Sequence, residues 1–266
     1  PIKGYQDDHY VFMATSLGTV KKTRLSDFSN PRKAGIIAVD LNENDFLVGA
    51  AITDGQHDVM LFSDAGKAVR FDENDVRPMG RTARGVRGMN LGDGHQVIAM
   101  LVAPAEAAEG AEAAVVDANG IAIPSSVLTA TENGYGKRSS LDEYRITNRG
   151  GKGVKTLNIT EKTGQLISIN AVTDNDDLMI INKSGLTIRM AVEDLRVMGR
   201  ATQGVKLINI KGNDSIAAVT KVMKDDPAEV ELDEDGNPIE VEAIERVKPV
   251  LEVLEDDGAT DDEDEE

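Results

Sequence analysis

The 266-residue chain has no cysteine and no tryptophan, and aromatic residues make up only 3% of it. Lack of cysteine excludes disulfide frameworks, thiolate metal sites and cysteine nucleophiles. A core must therefore be built from Val, Ile, Leu, Met and Ala. Histidine occurs only at His9, His57 and His95, too few and too dispersed for a zinc site. No apolar run approaches the ~20 residues of a membrane helix, and no charged-then-apolar signal segment opens the chain. The expectation is a cytoplasmic protein with no membrane partner. The first residue is Pro1, not an initiator Met, which points to a fragment or processed product.

What is present in excess is negative charge, with a formal net charge of −18, but it is unevenly placed. Residues 225–266 hold 20 of the 47 acidic residues against two basic ones, Arg246 and Lys248, so they account for the whole deficit. The body, 1–224, is neutral, and a neutral body can still carry a basic face. The tail, ending "DDEDEE", has too little apolar material for its charge and is expected to be disordered.

Repetition organises the body. Four segments, "YVFMATSLGTVKKT", "DVMLFSDAGKAVRF", "VLTATENGYGKRSS" and "DLMIINKSGLTIRM", run from an apolar stretch through a Gly-containing turn into a basic, alternating stretch. They read as β-hairpins, with Gly18, Gly66, Gly134 and Gly185 at the left-handed turn position. The turn glycines are 48, 68 and 51 residues apart, the middle spacing lengthened by an Ala/Glu-rich insertion near 104–126. A period near 50, with about four short strands per repeat, predicts an all-β, propeller-like array of blades. The units lie near 10–54, 58–103, 127–173 and 177–222.

Nineteen residues after the turn glycine stands a second landmark, Gly85-Val86, Gly153-Val154 and Gly204-Val205, with Gly35-Ile36 in the shorter first unit. The segments before it read "GRTARGV", "NRGGKGV", "GRATQGV" and "NPRKAGI". Recurrence of the glycine marks a structural turn or close backbone approach. Four residues before it recur Arg81, Arg149 and Arg200. A turn has no need of arginine, so the repeat predicts a basic stripe along one edge of successive blades, suited to a phosphate backbone. Routine surface ion pairs are the plain alternative.

With these stretches on the page, "VFMATSLGTVKKT", "VMLFSDAGKAVRF", "RPMGRTARGVRGMNLGDG", "TENGYGKRSSLDEY" and "LRVMGRATQGVKLI" resemble the C-terminal DNA-wrapping domain family of the DNA gyrase A subunit, over essentially all of 10–223. The resemblance implies a β-pinwheel whose basic rim bends duplex DNA. It also implies part of an ATP-dependent type II topoisomerase that introduces negative supercoils. ATP and Mg²⁺ would belong to a partner B subunit within an A2B2 assembly, with no cofactor held here, and an acidic tail would modulate activity. The family usually has six blades and a Q-R-R-G-G-K-G box in the first. Arg149-Gly150-Gly151-Lys152-Gly153 matches the last five positions of that box, but Asn148 replaces the first arginine and the segment sits in the third unit. It therefore reads as a related loop, with the box itself upstream of Pro1.

On this reading Arg149 and Lys152 bind phosphates, and Lys21, Lys22, Arg70, Arg81, Arg84, Arg87, Lys137, Arg138 and Arg200 extend the path. Contacts of this kind position DNA without reading bases. The catalytic tyrosine of such enzymes lies outside the resemblance, so Tyr5, Tyr10, Tyr135 and Tyr144 are not nucleophiles and no catalytic centre is expected. Other motifs fail: "TENGYGKRSS" lacks the P-loop spacing, and "ELDEDGNPIEVE" has Pro238 inside a would-be calcium loop. The related topoisomerase IV C-terminal domain and a propeller-like scaffold for an acidic protein partner are the competing readings. Salt-dependent binding to unrelated DNA sequences separates the scaffold from the others.

Overall fold

A left-handed glycine between two alternating stretches makes a hairpin, and four such hairpins are the framework of the computed structural model. The structure describes residues 4–105, 126–210, 212, 214–224 and 250–253. The bulk of the Ala/Glu-rich insertion, the calcium-loop-like segment and the tail other than 250–253 lie outside the described residues.

Unit 1 contains β1 (Tyr10–Thr15), β2 (Thr19–Arg24) and β3 (Leu47–Thr53). Unit 2 contains β4 (His57–Ser63), β5 (Lys67–Asp72), β6 (Val86–Arg87) and β7 (Val97–Pro104). Unit 3 contains β8 (Ser126–Thr131), β9 (Tyr135–Ser140), β10 (Val154–Lys155) and β11 (Leu166–Val172). Unit 4 contains β12 (Asp176–Asn182), β13 (Thr187–Ala191), β14 (Val205–Lys206) and β15 (Ile216–Met223), and β16 (Val250–Val253) follows. Each hairpin turn closes with the glycine N–H donating three residues back, from Gly18 to Thr15, Gly66 to Ser63, Gly134 to Thr131 and Gly185 to Asn182. All four glycines have φ between 72° and 89°. The described residues contain no α-helix, and a short 3₁₀ turn follows the second hairpin strand in every unit.

The sheets do not coincide with the units. Their strand orders are β3-β1-β2-β6, β10-β5-β4-β7, β11-β8-β9-β14-β16 and β13-β12-β15. The repeats supply the expected strands, three in unit 1 and four in each of units 2, 3 and 4, but the first three sheets each include a strand of the next unit. In the first three sheets, the strand next to the second hairpin strand is a two-residue piece donated by the following unit: β6 on β2, β10 on β5, β14 on β9. Those pieces are Val86-Arg87, Val154-Lys155 and Val205-Lys206, directly after the second landmark glycine.

The exchange explains the glycine. Gly85, Gly153 and Gly204 have φ of 110°, 81° and 85°. A Cβ on each would stand 2.4, 2.5 and 2.5 Å from the carbonyl oxygen of Val20, Ala68 and Gly136 on the neighbouring hairpin. No side chain fits in that gap. Gly35 has the same conformation, φ 81°, with nothing within 4 Å of its would-be Cβ.

Three apolar clusters fill the spaces between successive sheets. Phe12, Val20, Leu61, Phe71 and Met89 join units 1 and 2; Met60, Phe62, Leu141, Tyr144 and Leu157 join units 2 and 3; Leu128, Leu178, Met190, Leu195 and Leu207 join units 3 and 4. Each cluster draws on both sheets, so a single unit has no complete core. Tyr144 is the largest fully buried side chain, set edge-on to Phe62 at 6.0 Å with its hydroxyl 2.5 Å from Thr156 Oγ1. Burial pushes its hydroxyl pKa up to about 12.

Charge is buried at the same seams. The residue four after each turn glycine is a cation, buried at Lys22, Arg70 and Arg138 and partly buried at Arg189, which pairs with Asp177 of its own unit. Lys22 Nζ lies 2.8 Å from Glu73 of unit 2, both side chains essentially without solvent exposure. Glu73 also accepts from Thr53 Oγ1 and from the N–H groups of Gly55 and His57. Burial alone would raise the Glu73 pKa. Hydrogen bonds from His57, Lys22 and Thr53 outweigh it and bring the carboxyl to about 2, while the bond to Glu73 raises His57.

Two outcomes follow from these seams. Gly153→Val should lower stability by about 3 kcal/mol or more, because it combines a strained φ with a backbone clash. Thermal melts beside Gly151→Ala, which has nothing closer than 3.7 Å, would measure it. The second concerns pH. The depressed Glu73 pKa contributes stability that is present above its ordinary 4.5 and lost as pH falls toward 2. The raised His57 pKa contributes stability that is complete below 6.5 and lost as pH rises through its folded value. Melting temperature should therefore fall on acidification below pH 4.5, and Glu73→Gln should flatten that limb.

Candidate nucleic-acid interface

The basic residues singled out in the sequence lie on the second hairpin strands and on the loops and donated strands of the following units, and the structure sorts them into two classes. The first class is internal. Lys21, Lys22 and Lys137 are 1% exposed, and Arg70 and Arg138 are 6% exposed. Those five are corrected from surface phosphate ligands to seam residues.

Their partners show why they are inside. Lys21 Nζ donates to the Ala38 carbonyl at 2.5 Å and to that of Arg81. Burial, then the nearby Arg81 charge, push its pKa down to about 8. Lys137 Nζ donates to the carbonyls of Gly199 at 2.7 Å, Arg200 and Thr202. Each of these lysines thus holds the arginine-bearing loop of the following unit. Arg70 pairs with Asp58 at 2.7 Å and donates to the carbonyls of Leu141 and Tyr144 in unit 3. Arg138 bonds Ser126 Oγ at 2.6 Å and pairs with Asp174. Adjacent strand residues face opposite ways, so Lys21 and Lys137 lie under the loops, where a carbonyl cage offsets their desolvation, while Lys22, Arg70 and Arg138 face the other side toward Glu73, Asp58 and Asp174.

The recurring arginine is also a seam residue, though a partly accessible one. Arg81 donates to the Ile37 carbonyl at 3.0 Å, Arg149 to that of Arg87 at 2.9 Å, and Arg200 to that of Lys155 at 2.8 Å. Each acceptor lies two residues after the landmark glycine of the preceding unit. Three arginines therefore staple three loops to their predecessors by one geometry. Arg149 makes a further bond to the Asp75 carbonyl, 3.0 Å.

"NRGGKGV" divides accordingly. Gly150, at φ 82°, donates its N–H to Gly88 O at 2.7 Å, and Gly151 O accepts from Asn90 N–H at 2.9 Å. The two glycines interlock this loop with the preceding one, which in unit 3 has no buried lysine to hold it, since Val69 stands at the equivalent position. Gly153 admits the donated strand, and Arg149 staples. Lys152 is exposed and shares a cleft of about 280 Å³ with Lys67, Asn90 and His95.

The second class faces solvent. Arg84 is 68% exposed and pairs with Asp40 at 3.0 Å, an exposed pair of small net worth. Arg87 and Lys152 are exposed. The sequence reading missed a further set. Arg77, Arg145 and Arg196 occupy the same place in units 2, 3 and 4, directly after the residue that ends the 3₁₀ turn. All three are exposed and make no hydrogen bond or ion pair among the described residues. Their signal was a fixed spacing of four residues before Arg81, Arg149 and Arg200. Among the described residues Asp54, His57 and Glu73 form one cluster of metal-ligating types, with ligand atoms within 4.8 Å of one another. Its buried carboxylate is already engaged by Lys22, Thr53 and backbone N–H groups.

The two classes should separate in a melting experiment. Arg149→Ala removes two carbonyl partners and is expected to destabilise by about 1–3 kcal/mol. Lys152→Ala should stay within ~0.5 kcal/mol.

Comparison with known proteins fits this geometry. The family model described as DNA gyrase C-terminal domain, beta-propeller, matches residues 9–54, 57–104, 125–173 and 176–223. The DNA gyrase A protein of Klebsiella oxytoca is 41% identical over 264 residues, 99% of this chain and 28% of that protein. The Staphylococcus aureus MRSA252 counterpart is 38% identical over 243 residues, 90% of this chain and 26% of that protein. The chain thus spans about a quarter of the length of these relatives. A solved DNA gyrase A C-terminal domain superposes with a TM-score of 0.66 at 26% identity, covering 84% of this chain and 68% of that one. The C-terminal domain of DNA topoisomerase IV gives 0.72 at 25%, covering 84% and 65%. With the family model matching all four units, the chain belongs to the DNA gyrase C-terminal domain family.

Proposed function

We propose that this chain binds duplex DNA along the loop side of the array and bends it, as the DNA-wrapping part of a gyrase A protein. The observation that carries the reading is the exposed, unpartnered arginine in three successive units, Arg77, Arg145 and Arg196. Lys152 on the unit 3 loop and Arg87 on β6 add positive charge nearby, while the charge of Arg84 is shared with Asp40. Repetition at a fixed place suits a ligand that is itself a repeating polyanion, and such contacts read no base sequence. The buried set, Lys21, Lys22, Lys137, Arg70 and Arg138, serves binding by holding the loops in register. Arg81, Arg149 and Arg200 do so by stapling.

In this reading the role is mechanical. Strand cleavage and ATP hydrolysis, with its Mg²⁺, fall to the rest of the gyrase A protein and to gyrase B in the cytoplasm, and bent DNA is presented to them for supercoiling. Topoisomerase IV is the nearest competing assignment, since its domain superposes slightly better. Relatives that are DNA gyrase A proteins, at about 40% identity, favour gyrase.

Fluorescence anisotropy on a short duplex across a salt series tests the interface. Replacing Arg77, Arg145 and Arg196 by Ala should lower the slope of log K against log salt by roughly 2–3, at ~0.9 per lost phosphate contact. Binding should weaken equally on unrelated sequences, with melting temperature unchanged. An unchanged slope would move the interface away from these arginines. A shift in plasmid linking number after nick ligation in the presence of the protein would report wrapping.

A further inference from the structure

In units 1 to 3, the carbonyl two residues after the landmark glycine, on Ile37, Arg87 and Lys155, accepts the arginine of the next unit. Lys206 holds that position in unit 4. The edge that an arginine loop would cover is taken by β16, which pairs antiparallel with β14, Val205 opposite Val253 and Lys206 opposite Val250. Among the described residues, β6 and β10 have no such neighbour, and the third sheet alone has a fifth strand.

We propose that Val250–Val253 is a docked cap, a strand of the chain's own tail that closes the seam at β14 by strand addition. It ties the acidic run that begins at Glu255 to the unit bearing Arg196 and Arg200. Both residues of β14 lie in register with both neighbours, Val205 with Gly136 and Val253, Lys206 with Tyr135 and Val250. A repeat array leaves its last interface uncovered, and an uncovered strand edge offers unpaired backbone groups that a capping segment satisfies. The tail supplies its densest β-forming stretch there, "PVLEVL" at 249–254, within otherwise acidic sequence. A four-residue strand is weak on its own, but the 25 residues from Asp225 to Pro249 make its docking intramolecular. At the millimolar effective concentration of such a tether, a weak strand can stay bound. Val250–Val253 is an apolar island in a tail whose average composition predicts disorder.

The test is amide hydrogen exchange on the full chain, on Val250→Pro, and on a chain ending at Lys224. Val250→Pro keeps every charge but removes the N–H opposite Lys206. Protection of the Lys206 amide should fall at least tenfold in both variants, while Val86 and Val154, whose seams lie elsewhere, stay unchanged. Equal Lys206 protection in all three chains, with intact Val86 and Val154, would overturn the cap. The readout requires no DNA, so it stands apart from the DNA-binding proposal.

Discussion

Every complete sheet here depends on a strand that belongs to the following unit. Two residues are donated, and two residues are too few to hold by pairing alone. The rest of the seam makes up the difference. A glycine without Cβ lets the donated strand approach, buried cations hold the loop ahead of it, and an arginine ties that loop to its predecessor. The apolar clusters lie between sheets for the same reason, since chain crossing and core formation occur at one interface.

Buried cations in a β-core carry a large desolvation cost, and the structure shows how it is offset. Lys22 meets a carboxylate already engaged by a hydroxyl and two N–H groups, while Lys21 and Lys137 meet loop carbonyls. Such groups set register more than they add stability, because an apolar replacement of the same volume is often tolerated, whereas deleting one partner strands the other. A strand slipped by one residue would leave the cation without its cage.

The hairpins, their turn glycines and the division into four units were legible because each rests on local chemistry recurring at a fixed spacing. Strand exchange was not, because a two-residue strand has no periodicity to read and its partner lies in a different unit. The basic residues were the harder case. Sequence shows that Lys21, Lys22 and Lys137 are charged but not that they point inward, and strand alternation alone does not say which face is covered when loops lie over it. Arg81, Arg149 and Arg200 drew attention as a repeat, and the repeat was real, though its first task is to bind carbonyls. Arg77, Arg145 and Arg196 recur just as regularly and stand free in solvent.

Because every seam joins the same kind of donor to the same kind of acceptor, the number of units is not fixed by any one of them. Removing one whole unit would bring a donor from farther along the chain to an acceptor of matching shape, with its glycine, cation and arginine in place. Removing half a unit would leave an acceptor empty and a donor idle. Length in this architecture can change in whole repeats without redesign of the joints, and the arc over which a bound polymer curves would change by the same steps.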